Sequence, residues 1–350
     1  MATDKSIVKK TANYGNGLLP MPPFPWQSNI WLEFVERIKR DRMPHAVLLY
    51  GEQGIGALEL SQALAQYASC FSPTDSIACG KCKACTLMNA GSYPDLLSIG
   101  LEEKAKQIKV DQIRAVSNFV SKTSQLGGKK VIIIEAAETM NVNAANALLK
   151  NLEEPSGDTL FVLTSNQIGR ILPTIRSRCF QISVPYPKKH EAMAWLDTQS
   201  IEDAENLLDY ARGAPVLALE WFNTDAISDR KSVFNGMTYI VMGQQSSLYI
   251  AQQWGQLEPL NVLDAMQYAI DECIKGAMLN AEAPQAIATL LRSVAGFPAS
   301  VFFKLRDKLL LKRGQLEANT NLNPALFVEE LALDWAALSE YGRRSLSRSQ

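Results

Sequence analysis

The sequence predicts an α/β fold: a three-layer domain around a parallel sheet, followed by helices alone. Three observations point there. Short apolar runs alternate with helical patterns as far as residue 184, the first run is followed by a glycine-rich loop, and strand patterning stops at Pro185. The runs are Ala46–Tyr50, Leu96–Ile99, Val131–Ile134, Leu160–Leu163 and Phe180–Val184. They are rich in Val, Ile, Leu and Phe and mostly do not alternate with polar residues, as expected of strands covered on both faces. Strand–helix alternation of this kind makes a parallel sheet with helices on both sides.

Taken in order, residues 1–20 read as a polar tail. Pro20, Pro22, Pro23 and Pro25 then favour an extended path to Trp26. Ile30, Phe34, Val35 and Ile38 fall on one face of a helix reaching Arg40. After Gly56, a second helix carries Leu60, Ala63, Leu64, Tyr67 and Ala68 on one side. Asp111 is a candidate cap for a helix bearing Ile113, Val116 and Val120. Asn143 is expected to open another, with Ala147, Leu148 and Leu152 buried before Pro155 ends it. The expected division is a tail at 1–20, an α/β domain at 21–184, a small helical domain at 185–225 punctuated by Gly213-Ala214-Pro215, a larger helical domain at 226–340, and a basic tail at 341–350.

Composition narrows the function. A chain of 350 residues with 47% apolar and 20% charged side chains can bury two or three ordinary cores. No apolar run reaches the ~20 residues a membrane span requires, and Met1 to Asn16 lacks a signal peptide's apolar stretch, so the expectation is a cytoplasmic protein with no membrane partner. The net charge of −1 argues against coating nucleic acid by bulk attraction.

The loop after the first strand reads Gly51-Glu52-Gln53-Gly54-Ile55-Gly56-Ala57-Leu58. A working phosphate loop places Lys and then Ser or Thr directly after its last glycine. The ammonium meets the β/γ-phosphates and the hydroxyl meets Mg²⁺. Ala57 and Leu58 do neither. Gly51, Gly54 and Gly56 still permit a tight turn onto a helix N-terminus, so weak nucleotide binding stays open while hydrolysis is not expected. The third strand ends Ile134-Glu135-Ala136-Ala137. Glu135 can approach a metal, but Ala136 cannot polarise a water.

Four of the six cysteines crowd into sixteen residues: Cys70, Cys79, Cys82 and Cys85, with Gly80 in the first short step. Four thiolates suit one tetrahedral Zn²⁺ per chain and leave no coordination site for water, which makes the site structural. A disulfide pair, an iron–sulfur cluster and plain buried thiols are the alternatives. Cys179 and Cys273 read as small core hydrophobes, and His45 and His190 as structural or surface residues.

Three further segments carry a resemblance: Asn146-Ala147-Leu148-Leu149-Lys150-Asn151-Leu152-Glu153-Glu154-Pro155, Thr164-Ser165-Asn166, and Thr174-Ile175-Arg176-Ser177-Arg178-Cys179. With the cysteine spacing, they are highly specific. From about Trp26 into the C-terminal helices, the chain resembles the bacterial DNA polymerase III clamp-loader family of AAA+ proteins, and within it the members that do not hydrolyse ATP.

The resemblance implies that Arg178 is an arginine finger, reaching in trans into the ATP site of an adjacent subunit, with Ser177 supporting it. It implies that 185–225 is a lid and 226–340 a collar. It also implies partnership with the tau/gamma ATPase subunits and the delta subunit, transient contact with the sliding clamp, and contact with primed DNA through the complex during DNA replication. Val216 stands where active members carry an arginine in the lid, a third departure from an ATPase. The long N-terminal tail departs from the family pattern as well. The alternative reading is an autonomous zinc-dependent DNA-binding protein or a weak nucleotide-binding regulator. Against the first, the cysteine segment lacks a basic helix able to read bases, although Lys81, Lys83 and the stretch Lys104–Lys109 add local charge.

Overall fold

A computed structural model describes residues 21–348 except 103–104, 156, 225, 280–282 and 318–321. The expected tail at 1–20, and Lys104 of the basic stretch, lie outside the described residues.

The chain divides into two compact units, with the boundary between Trp195 and Leu196. In the first, α1 (Ser28–Lys39) precedes β1 (Ala46–Tyr50), α2 (Ala57–Ser69), α3 (Lys83–Asn89), β2 (Leu96–Ile99), α4 (Val110–Val120), β3 (Lys130–Ile134), α5 (Val142–Glu153), β4 (Thr159–Ser165), α6 (Pro173–Arg176), β5 (Phe180–Ser183) and α7 (Lys189–Thr198). The expected runs become the strands, with ends shifted by a residue or two. All pairings are parallel, and the order across the sheet is β2-β3-β4-β1-β5. β1, β3 and β4 are buried almost throughout, which is why their sequences are continuous apolar runs. At the edge, β5 alternates exposed and covered positions.

Helix packing follows the sequence in outline and corrects it in detail. Ile113, Val116 and Val120 of α4 are buried as expected, and so are Leu148 and Leu152 of α5. The caps differ. Asn141, rather than Asn143, caps α5 by accepting from the Ala144 N–H at 2.8 Å. α4 opens at Lys109, whose N–H donates to the Gln112 side-chain oxygen at 3.0 Å, so Asp111 sits inside the first turn. A capping side chain must lie one residue before the helix, and in both places the local spacing allowed a later candidate. Trp31, absent from the expected apolar face of α1, is buried and packs edge-on against Tyr67, with ring centroids 5.5 Å apart.

Among its described residues the second unit has helices and no strand: α8 (Ala204–Tyr210), α9 (Pro215–Phe222), α10 (Ala226–Met242), α11 (Ser247–Trp254), α12 (Pro259–Leu279), α13 (Ala288–Ser293), α14 (Ala299–Glu317) and α15 (Pro324–Arg348). Gly213, with φ +84°, turns the chain between α8 and Pro215, the first residue of α9. One core joins Tyr210 to Phe234, Met237, Trp254, Met266, Phe302 and Trp335. α15 continues to Arg348, into the segment expected to be a tail, with an Arg344–Glu340 pair along its exposed face. Among the described residues, no helix is long and apolar enough to cross a membrane.

Candidate functional site

In a parallel sheet all strands point the same way, so the loops that follow them gather at one edge. The glycine loop after β1 lies there beside the segments after β3 and β4. The Gly51 N–H donates to the Ser165 carbonyl at 3.1 Å, and the Ala136 N–H to Thr164 Oγ1 at 3.2 Å. Gly54 and Gly56 have φ of +80° and +89°, the left-handed region that glycine enters without steric cost. Gly56 is needed for space as well, because a Cβ there would lie 2.2 Å from the Phe24 ring.

The segment before α1 packs directly on this loop. Trp26 Nε1 donates to the Ile55 carbonyl at 2.9 Å, and Gln27 Nε2 donates to the Gly56 carbonyl at 2.8 Å. Phe24 stacks on Trp26 at 4.8 Å, and the ring of Trp195 closes on both edge-on. The loop is therefore held by backbone conformation and an aromatic cluster. At the positions where a phosphate site needs an ammonium and a hydroxyl, it presents the buried methyl of Ala57 and the aliphatic Leu58.

Arg178 is at the other edge. It lies two residues before β5, and Phe180 pairs with Val47 of β1. Gly51 follows Val47 by four residues, which at ~3.3 Å rise per residue separates the two ends by about 13 Å along the strands. The guanidinium is anchored twice. Nη1 donates to the Thr174 carbonyl at 2.9 Å, and Nη2 pairs with Glu153 Oε1 at 2.5 Å. Ser177 Oγ donates to the same Thr174 carbonyl at 3.2 Å, so the turn after α6 and the arginine share one acceptor. Cys179 next to it is buried in the sheet core, and burial pushes its thiol up to about 12, as befits a packing residue.

The Sγ atoms of Cys70, Cys79, Cys82 and Cys85 all lie within 4.8 Å of one another. A tetrahedral Zn²⁺ with bonds of ~2.3 Å calls for sulfur separations of about 3.8 Å, within easy reach of this cage. The backbone already favours thiolates here: the N–H groups of Cys79, Cys82 and Cys85 point at Cys70, Cys79 and Cys82 sulfurs at 3.2 to 3.5 Å. The Ser72 hydroxyl and the N–H groups of Lys81 and Cys82 pull the Cys79 thiol down to about 5, whereas burial raises that of Cys85. The cage closes an insertion between α2 and β2 that has little core of its own. Tyr67 of α2 donates to the Asp75 carbonyl at 2.9 Å, and Trp31 of α1 donates to the Ser76 carbonyl at 2.9 Å. This cover explains why α2 is buried nearly all round and not only on the face read from its sequence.

A family model described as DNA polymerase III, delta subunit, matches residues 26–188. DNA polymerase III subunit delta' of Pseudomonas aeruginosa is 36% identical over 328 residues, 90% of this chain and 98% of that protein. The chain belongs to the DNA polymerase III delta' subunit family. The delta' proteins of Haemophilus influenzae and Escherichia coli K12 agree, at 32% identity (78% of this chain, 84% of that one) and 31% identity (89% and 94%).

In this delta' family member the residues singled out from sequence form three separate places. Gly51, Gly54 and Gly56 lie at one edge of the sheet, Ser177 and Arg178 at the other, and the cysteines in the α2–β2 insertion. Sequence reasoning missed the partners. Glu153 stood in a quoted motif without a role, and nothing in the local pattern ties it to a side chain 25 positions later. Phe24 and Gln27 flank the end of the proline-rich approach, and no local pattern ties either to the glycine loop some 30 positions later.

Proposed function

We propose that this delta' family member does not turn over ATP itself and supplies Arg178 to the nucleotide site of an adjacent subunit of the clamp loader. The observation that carries the reading is the placement of Arg178 at the sheet edge opposite the chain's own phosphate loop. An arginine there cannot serve Gly51–Gly56 of the same chain, yet it is a third exposed along its side chain and held in a defined place. A guanidinium keeps its charge and offers fixed donors to phosphate oxygens, where it stabilises the charge that develops as the γ-phosphate departs. Ser177 supports it through their common acceptor.

The chain's own site is read as inert, since Ala57, Leu58 and Ala136 carry none of the groups hydrolysis requires. The glycines hold a fold-stabilising turn there. Cys70, Cys79, Cys82 and Cys85 are read as ligands of one structural zinc, which would stabilise the insertion by joining segments that bury little apolar surface. Residues 185–225 and 226–340 are proposed as lid and collar, although Tyr210 shares a core with the later helices. The partners proposed are the tau/gamma ATPase subunits, the delta subunit, the sliding clamp and, through the complex, primed DNA.

The test is a reassembled complex in which Arg178→Ala replaces the wild-type chain. Assembly is expected to be normal and DNA-stimulated ATP turnover reduced. Unchanged turnover with full assembly would remove the assignment of Arg178.

A further inference from the structure

We infer that Glu153 is a positioning residue for Arg178: its carboxylate fixes the plane from which the guanidinium meets a neighbouring subunit's nucleotide. This rests on the reading of Arg178 given above.

The two anchors of Arg178 differ in origin. Thr174 lies four residues back in the same turn, and its carbonyl at 2.9 Å from Nη1 would follow the arginine wherever α6 moved. Glu153 is the last residue of α5, and it holds Nη2 at 2.5 Å across the gap between two elements. One hydrogen bond leaves a guanidinium able to swing about that bond. A second, from a different element, fixes its orientation as well as its position. The N–H groups not used by Thr174 and Glu153 then face a fixed direction, which is what a phosphate recognised by a planar fork requires.

Stability does not account for the pair. The side chains are 34% and 49% exposed, and ion pairs in that range contribute about 0–1 kcal/mol. Preorganisation accounts for it better, because a donor already aimed at developing charge loses little rotamer freedom when the nucleotide arrives. Three features hold Glu153 itself in place. Leu152 and Leu148 of the same helix are fully buried, His45 Nε2 hydrogen-bonds the Leu152 carbonyl at 2.9 Å, and the Glu154 N–H closes the helix on the Lys150 carbonyl.

The experiment uses the complete clamp loader reassembled with four forms of this subunit: Glu153→Ala, Glu153→Gln, Arg178→Ala and the double Glu153→Ala/Arg178→Ala. Size exclusion confirms assembly, and DNA-stimulated turnover is measured over a range of ATP concentrations. Glu153→Ala is expected to lower kcat about 10-fold with KM changed by less than about 2-fold, the pattern of a misaimed group that acts in the transition state. Glu153→Gln should recover most of the rate, because its amide oxygen still accepts from Nη2. In the Arg178→Ala background, Glu153→Ala should have no further effect. The inference is overturned if Glu153→Ala leaves kcat unchanged, raises it, or lowers it equally when Arg178 is already absent. If Arg178→Ala lowers turnover while Glu153→Ala does nothing, only the role of Glu153 is lost. If Arg178→Ala is itself silent, both readings fall together.

Discussion

The two edges of one sheet make opposite use of their residues. At the edge following the strands, the glycine loop is held in a defined shape by two positive φ angles, a helix that starts at its end, and carbonyls tied to Trp26 and Gln27. It has none of the side chains that act on a phosphate. At the edge preceding the strands, Ser177 and Arg178 sit on a short turn of little regular structure, yet the arginine is held by two partners. Backbone geometry and side-chain chemistry are separable. A loop with the right conformation is a stable turn whether or not it catalyses, whereas a charged side chain held in place at a half-exposed edge needs a reason beyond stability.

That contrast can be broken most decisively at Arg178. With Ala at 178, turnover at the adjacent site is expected to drop by on the order of 10²-fold or more, since fingers supplied in trans to GTPases contribute roughly 10³–10⁵. Steady-state ATPase with and without primed DNA reads it out, with thermal unfolding of the subunit unchanged.

The glycine edge should respond in the reverse manner, losing fold rather than activity. Gly56→Val brings a branched side chain to φ +89° and into the Phe24 ring. A loss of about 3 kcal/mol is expected in denaturant unfolding. A fully stable Gly56→Val variant would show that the loop is not held as described. Conversely, Ala57→Lys with Leu58→Thr should leave the isolated chain without magnesium-dependent ATP turnover, because Ala136 still cannot activate water. Turnover in that double variant would mean the edge had kept more of its chemistry than its residues suggest.

The cysteine cage sharpens the comparison from a third side, as a place where four sulfurs converge on one point. Elemental analysis should return one zinc per chain, and Cys82→Ser should lose it along with about 2–4 kcal/mol of stability in the α/β unit. A chelator should reproduce that loss in the wild-type chain and have no effect on the variant. The smallest effect is expected at the Glu33–Arg37 pair of α1, whose arginine also lies 4.4 Å over the Phe180 ring. Glu33→Ala should cost no more than about 0.5 kcal/mol, a baseline for what a surface ion pair does alone.

Much of this protein was legible one element at a time. Parallel strands buried on both faces produce apolar runs, so β1, β3 and β4 could be read directly. The cysteine spacing pointed to a metal site, but a segment of that length can extend to about 50 Å, so it is the fold that brings the four Sγ atoms within 4.8 Å of one another. The missing Lys and Ser/Thr after Gly56 are facts about residue identity that folding does not change. The caps of α4 and α5 each lie two positions before the residue the sequence favours, because Asn143 is as plausible locally as Asn141 and Asp111 is a better capping type than Lys109, where Gln112 satisfies the backbone instead.

The tertiary structure decided the relations. Strand order follows from how crossovers pack on the sheet, and it alone sets Phe180 beside Val47 and puts Arg178 out of reach of its own phosphate loop. The pairing of Arg178 with Glu153 joins the turn after α6 to the end of α5, with a whole strand between them in sequence, and the aromatic cluster of Phe24, Trp26 and Trp195 joins residues some 170 positions apart. Residue types and short periods are written along the chain. Which side chains share a volume of a few ångströms depends on every element between them, so it is settled only when all of them are packed.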